Sequence, residues 1–259
     1  MAPPELAEPW DNVGLIIGSE KAAVNRVMVT LDITADVLKD AMNKNVDLII
    51  SHHPVLFHSI KSINDCTAAG AQLLSLLRSG ISVYTAHTNL DKAREGTDDT
   101  LAELLGLIDV RPLKTEADPL AASRPSFGRI GYLPEKVKLQ SFLESIKTRL
   151  RTRSVDYIGD PGKEIKVVAS CAGAGGDLIE TASKKGADLF ITGEVKYHEA
   201  LPVLDGTMAL AAMGHYETEN PAMARLIQRL QNAVYALQYK IEVIPSIDYG
   251  IYFRRRLGE

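Results

Sequence analysis

A strand–helix–strand pattern occurs twice in this 259-residue chain, and it constrains the fold more than any other feature. In the first copy, an apolar run at 26–33 precedes a helical pattern that Thr34 can cap, and a second apolar run ends at Pro54. In the second copy, strand-like runs at 167–171 and 187–194 flank a helical pattern. Each copy predicts two parallel strands that are joined by a crossover helix.

The two copies also share polar positions. Aligned without gaps, residues 27–53 lie over 168–194, so that Asp47 falls on Asp188 and the pair His52-His53 falls on Gly193-Glu194. At a different offset, His87 with Asp91 corresponds to His215 with Glu219. Apolar periodicity recurs in any two such units, but a repeated polar pair is much less expected by chance. We therefore predict an α/β fold of two related lobes from an internal duplication, each with a mainly parallel sheet.

A proline-rich stretch at 111–125 is typical of a linker and predicts lobes at 1–115 and 116–259. Further helices are predicted at 67–79, ending at Gly80, and at about 137–150. A long amphipathic helix is predicted at 220–237, beginning with Asn220 and Pro221, and a last strand at 240–248.

Composition narrows the class of protein. A net charge of −4 disfavours nucleic-acid binding, and we interpret the basic runs at 147–153 and 254–256 as solvated surface. The two cysteines lack CxxC spacing, which indicates a reducing compartment. No apolar run reaches the ~20 residues of a membrane span, and the N-terminus lacks a signal-peptide pattern. We therefore expect a soluble, cytoplasmic protein.

Histidines and carboxylates follow the predicted strands, where ligands gather in open α/β sheets. His52 and His53 end one strand; because neighbouring side chains on an extended strand point in opposite directions, binding requires two ions or a turn at 51–54. His87 and Asp91 follow the next strand, and His87 could either bind the metal or orient Asp91. The alternative is that one of His52 and His53 lies in the core and the other on the surface.

His215 and Glu219 are four residues apart, which would place both on one face of a helix. A capped helix start is the alternative for this pair. Together with the residues above they predict a two-metal site in the cleft between the lobes, suited to Zn, Fe, Mn, Ni or Co. The metal identity is open.

Lesser candidates surround this set. Glu194 and His198 lie in a segment that occupies the repeat position of the SHHP segment, and they could transfer protons or contact the substrate; a capped helix start is equally compatible. The glycines at 173–176 could hold phosphate, although a simple turn is the better interpretation. Trp10 could close over the site or fasten the N-terminus to the core.

Several segments, in a fixed order across nearly the whole chain, resemble the Nif-three-like family, whose members are known as type 2 GTP cyclohydrolase I homologues. They are PPELAEPWDNVGLIIGS, SHHPVLF, HTNLD, TGEVKYHEAL and GHYETE. The resemblance implies two α/β lobes, a dinuclear metal site and a ring-shaped homohexamer. It implies the ligands His52, His53, Asp91, His215 and Glu219, with His87 less certain. Family members usually carry a helix before PPELAE, and many have a second histidine where this chain has Tyr197.

These residues are compatible with two functions. In the first, two divalent ions support hydrolysis of a nucleotide or another phosphate-containing small molecule, with Glu194 or His198 carrying the proton. In the second, the same ligands serve metal storage, delivery or a regulatory scaffold. A purely structural interaction module is a third hypothesis, but it leaves the strand-end ligands unexplained.

Overall fold

The structure is a computed structural model that describes residues 1–114 and 126–247. Most of the predicted linker and the whole basic run at 254–256 lie outside the described residues. The strands are β1 (Gly14–Ile17), β2 (Arg26–Thr30), β3 (Leu48–Ser51), β4 (Ser82–Thr85), β5 (Ile108–Pro112), β6 (Arg129–Lys138), β7 (Asp156–Ile158), β8 (Glu164–Ala174), β9 (Leu189–Glu194), β10 (Ala209–Ala212) and β11 (Glu242–Pro245). The helices are α1 (Ala35–Asn43), α2 (Ala68–Ser79), α3 (Thr88–Lys92), α4 (Thr97–Leu104), α5 (Leu139–Arg149), α6 (Ile179–Lys184), α7 (Tyr197–Ala200) and α8 (His215–Ala236).

The chain divides into two compact units between Leu90 and Asp91 and again between Ala222 and Met223, whereas the predicted boundary lay between 115 and 116. One unit comprises Ala2–Leu90 with the described residues from Met223 onward, and the other comprises the described residues of Asp91–Ala222. The C-terminal part returns to the first unit because β11 pairs in parallel with β2, with Val243 opposite Val27. Helix α4 belongs to the unit of Asp91–Ala222 because Leu101 and Ala102 are buried in the core of that unit.

The sheet of the discontinuous unit has the order β1-β4-β3-β2-β11. The four strands β4, β3, β2 and β11 run parallel to one another, and β1 is antiparallel to β4. Met28, Ile49 and Val83 are fully buried on these central strands. Strands buried on both faces are apolar along their length, which is why the sequence reads as continuous apolar runs.

The sheet of the other unit has the order β5-β6-β8-β9-β10-β7. Its centre, β8-β9-β10, is parallel, and the outer strands are antiparallel to their neighbours. Leu189 and Ile191 of β9 are fully buried with Phe142 and Ile146 of α5, so helix and sheet share one core. The predicted α/β class with two sheets is thus confirmed, with antiparallel strands added at the edges.

The duplication is visible in atomic detail at Asp47 and Asp188. Oδ2 of Asp47 accepts hydrogen bonds from the amides of Asn25 and Arg26, at 2.7 and 2.9 Å. Oδ2 of Asp188 accepts from the amides of Lys166 and Val167, at 2.8 and 2.9 Å. These four amides occupy aligned positions of the repeat. Each aspartate therefore fastens the start of its parallel strand pair in the same way, which supports two related lobes.

Helix ends agree with the predictions in two places and differ in a third. Thr34 caps α1 through the amide of Val37, and Gly80 ends α2 in the left-handed conformation with φ 73°. Helix α8, however, begins at His215 rather than at Asn220, and Pro221 lies inside it. Proline lacks a backbone donor and its ring crowds the carbonyl four residues earlier, which costs stability inside a helix; the six residues 215–220 precede it in α8 nonetheless. Among the described residues, no helix has the length and apolarity needed to cross a membrane.

Candidate metal centre

Three histidines come together at the carboxyl ends of β3 and β4. His52 and His53 lie in a bend directly after β3, and His87 lies two residues after β4. The ring centroids are 5.0 Å apart for His52 and His53, 5.2 Å for His52 and His87, and 5.6 Å for His53 and His87. One nitrogen from each ring lies within 4.8 Å of the others, so the group could hold a metal ion. The turn at 51–54 is the arrangement that brings the adjacent rings together.

Each of these rings has an oxygen atom beside its Nδ1. His52 Nδ1 lies 2.8 Å from the carbonyl oxygen of Ala86, and His53 Nδ1 lies 2.6 Å from Oδ1 of Asp32. His87 Nδ1 lies 2.9 Å from Oδ1 of Asp11. A carbonyl or carboxylate oxygen only accepts, so Nδ1 carries the hydrogen, and the lone pair of the neutral ring lies on Nε2. Histidines that bind metals in proteins are oriented in this way.

Strand register explains these contacts. Thr30 of β2 lies beside Ser51 of β3, and the next residues along both strands place Asp32 beside His53. Ser51 in turn lies beside Thr85 of β4, which places His52 at the Ala86 carbonyl. The sheet thus places an acceptor oxygen beside the rings of His52 and His53 by continuing its own parallel register.

Asp11 contacts the histidine cluster, and the sequence analysis missed it. Gly14 of β1 pairs antiparallel with Thr85, so the segment before β1 runs beside the segment after β4. The Asp11 side chain is fully buried, and its Oδ2 accepts from the amide and the hydroxyl of Thr88 at 3.0 and 2.5 Å. Burial alone would raise the pKa of Asp11, but the hydrogen bonds from His87 and Thr88 outweigh it and hold the pKa below its usual value.

Asp32 was also missed, although a local signal existed. It follows the apolar run of β2, the same strand-end position that identified the histidines. Asp11 had no such signal, because its partner is 76 residues away.

In the other unit, His215 and Glu219 lie one turn apart at the start of α8. His215 Nε2 is 3.1 Å from Oε2 of Glu219, whose side chain is only 5% exposed. His215 Nδ1 lies 3.4 Å from Oε1 of Glu194, so a fourth histidine has an acceptor beside Nδ1. The helical spacing that the sequence analysis made conditional is therefore present.

Two glycines make room for this pair. Gly173 has φ +64°, and a Cβ there would collide with Oε1 of Glu219. A Cβ at Gly193 would lie 2.5 Å from the Gly173 carbonyl oxygen and 2.7 Å from Oγ1 of Thr218. The position that aligns with His52 is thus closed to any side chain, because the start of α8 packs against the end of β9. Of the glycines at 173–176 only Gly173 serves this packing, because a Cβ at Gly175 would meet Cys171 and Thr192 and one at Gly176 would meet Glu199.

Asp91 lies on α3 and accepts a hydrogen bond from the hydroxyl of Thr97, the first residue of α4. The next residue, Asp98, is buried and accepts from the amides of Gly128 and Ala172, at 2.7 and 2.9 Å. Burial raises the pKa of Asp98 to about 7, although the positive charge of Arg129 opposes the rise. Asp91 is therefore held on a segment that a buried carboxyl group ties to β8.

The other predicted residues have different surroundings. Glu194, at the end of β9, is 52% exposed and contacts His215 as described. His198 lies on α7, is exposed, and has its ring 5.4 Å from that of Tyr197. Trp10 is 60% exposed, which excludes the interpretation that it fastens the N-terminus to the core.

Comparison with known proteins identifies the relatives of this chain. The sequence profile of the family described as Duf34/NIF3 (NGG1p interacting factor 3) matches residues 1–248. A Clostridium acetobutylicum protein named GTP cyclohydrolase 1 type 2 homolog is 33% identical over 95% of this chain and 91% of its own length. The NIF3-like protein 1 of Drosophila melanogaster is 32% identical over 84% of this chain and 74% of its own length.

Solved structures agree with these matches. A Staphylococcus aureus protein has 28% identity and a TM-score of 0.89, with 98% of this chain and 95% of that chain covered. A Bacillus cereus protein related to NIF3 has a TM-score of 0.90 over 99% of this chain and 96% of that chain; at 23% identity it shows the shared fold alone.

Proposed function

Because the chain belongs to the Duf34/NIF3 family, we propose that it is a metal-dependent hydrolase of a nucleotide or another phosphate-containing small molecule. Several relatives carry the name GTP cyclohydrolase 1 type 2 homolog, and a cyclohydrolase reaction belongs to this class of water-dependent chemistry. Two divalent ions per chain would be held by His52, His53, Asp91, His215 and Glu219, with His87 as a further ligand.

The observation that carries the metal proposal is the orientation of three histidine rings. His52, His53 and His87 each have an oxygen at 2.6–2.9 Å from Nδ1, contributed by three different residues. For these three rings Nε2 would be the ligand atom. Carboxylates near the rings provide hard oxygen ligands, and the mixed set suits first-row divalent ions such as Zn, Fe, Mn, Ni or Co.

Exposure favours catalysis over storage. The side chains of His53 and His215 are 23% and 33% exposed, so a small molecule can reach these rings from solvent. A storage site is better served by ligands that are closed to exchange. Bound divalent ions would lower the pKa of a water molecule and polarise the group that it attacks.

The chain's own residues would handle the protons. Glu194 is half exposed and lies 3.4 Å from His215 Nδ1, so it can accept a proton near that ring and release it to solvent. His198 is the second candidate, since it is exposed on α7, the helix that follows β9, and β9 ends at Glu194. Separate Glu194→Gln and His198→Gln variants distinguish the two candidates. Replacement of the residue that carries the proton should lower the hydrolysis rate about 10²–10⁴-fold.

The test of the proposal is a screen of the metal-loaded protein against GTP and simple phosphate esters, with metal content measured in parallel. Asp91→Ala should lose both activity and metal, whereas Asp205→Ala, a change at an exposed surface carboxylate, should lose neither. Activity that survived Asp91→Ala or His52→Ala would refute the metal mechanism.

A different result would favour the second hypothesis. If the protein binds two ions tightly and turns over none of the substrates, metal storage, delivery or a regulatory role explains the site better. The homohexamer implied by the family resemblance stays a prediction, which the mass of the native assembly would test.

A further inference from the structure

Trp10 and Phe57 form an exposed aromatic pair next to the histidine cluster. Their ring centroids are 5.9 Å apart, and their exposed fractions are 60% and 47%. The His87 ring lies 6.3 Å from Trp10 and 6.2 Å from Phe57, in edge-on orientation to both. Exposed aromatic rings that lie side by side mark binding sites more often than rings that are exposed singly.

The pair is held in place through its neighbours in the chain. Asp11, next to Trp10, accepts from His87 and Thr88. Asn12 donates from Nδ2 to the carbonyl oxygen of Leu56, next to Phe57, at 2.7 Å. Hydrogen bonds thus connect the Trp10 segment both to a histidine of the cluster and to the Phe57 segment. An exposed ring that is positioned in this way loses little conformational entropy when it binds a ligand.

We propose that Trp10 and Phe57 bind the planar heteroaromatic ring of the substrate by stacking. This inference rests on the proposed function, since it assigns a substrate class to the same site. Stacking on aromatic side chains tolerates any flat ring, because each has a π face. With the ring on Trp10, the polar part of the molecule would lie toward His87 and the other histidines.

Intrinsic fluorescence provides a direct test, since Trp10 is the single tryptophan of the chain. Guanosine and adenosine should quench Trp10 emission with saturation, and ribose 5-phosphate, which lacks an aromatic ring, should not. Phe57→Ala should weaken the binding of both nucleosides roughly tenfold or more, and Phe57→Tyr should restore it. Tyr235→Ala, at a residue 86% exposed on α8, is the matched control and should leave the binding unchanged.

The same titration on metal-stripped protein separates this inference from the proposed function. Quenching should persist without metal and in Asp91→Ala, because neither aromatic ring is a ligand. If the nucleosides quench Trp10 emission but the metal-loaded protein hydrolyses no substrate, the hydrolase proposal is overturned and the stacking proposal stands. The stacking proposal would be overturned by equal quenching with ribose 5-phosphate or by unchanged nucleoside affinity in Phe57→Ala. It would also be overturned if Trp10 emission changed only with protein concentration, which would indicate a contact between copies of the chain.

Discussion

The Nδ1 atom of His87 lies 2.9 Å from Oδ1 of Asp11, although 76 residues separate them. Asp11 is buried and also accepts two hydrogen bonds from Thr88, so its carboxylate is fully engaged in holding the segment after β4. This contact fixes both the tautomer and the orientation of His87. The proposed metal centre would therefore depend on a residue that does not itself bind the metal.

Replacement of Asp11 should weaken metal binding. In Asp11→Ala, His87 loses its acceptor and the affinity for a divalent ion should fall about 10–100-fold, as for other carboxylates that orient a metal-binding histidine. A competition titration with a chelator measures this change. Asp205→Ala removes a carboxylate of equal charge from an exposed position and should have no effect. Equal affinities in the two variants would show that Asp11 has no role in orientation.

Gly173→Ala should displace Glu219. The substitution places a Cβ against Oε1 of Glu219 and also forces a non-glycine residue into φ +64°. Gly186→Ala is the matched control, because Gly186 has φ +76° and no atom lies within 4 Å of its Cβ position. Both variants should lose about 1–2 kcal/mol of stability from the backbone, measured by thermal unfolding. Only Gly173→Ala should also lose metal affinity; a similar loss in both would remove Glu219 from the ligand set.

The repeated aspartates should be of similar importance to their sheets. Asp47→Ala and Asp188→Ala each remove an acceptor from two backbone amides, which should cost about 1–3 kcal/mol of unfolding free energy. Asp40→Ala breaks only the exposed pair with Lys44 and should cost less than about 1 kcal/mol. Urea unfolding compares the three. A negligible loss at one of the two repeated positions would contradict their equivalence.

Asp98 should make stability depend on pH. Burial raises its pKa to about 7 in the folded protein, whereas an unfolded aspartate has a pKa of about 3.9. The folded state therefore binds one more proton between these values, and its stability should fall as pH rises from about 4 to 7 and then level off. Melting temperatures across this range measure the slope.

Asp98→Asn tests the assignment of that slope. At pH 4 the variant should be less stable, because an amide nitrogen cannot accept from Gly128 or Ala172 as the carboxyl oxygens do. Its melting temperature should nevertheless lack the decline between pH 4 and 7 that belongs to Asp98. If the melting temperatures of the variant and of the unchanged protein fall in parallel between pH 4 and 7, the pH dependence belongs to other groups.

Local patterns in the sequence were sufficient for the elements and for the strand-end candidates. Apolar runs followed by His52, His53 and His87 predicted both the parallel strands and the positions of the rings, because side-chain periodicity and strand ends are properties of short segments. The repeat of Asp47 in Asp188 was visible for the same reason. The start of α8 was misplaced because Pro221 is a common first residue of helices and here lies inside one.

Tertiary structure alone decided which oxygen holds each ring. Asp11 reaches His87 only because β1 pairs antiparallel with β4, and Asp32 reaches His53 only because β2 lies beside β3 in that register. It also decided that the position of Gly193, near the end of β9, has no room for a side chain, since the start of α8 packs against that strand end. The sequence by itself determined the ligand chemistry, which is carried by residue type. The orientation of the ligands depends on pairings between distant strands, and those are contacts that no local pattern contains.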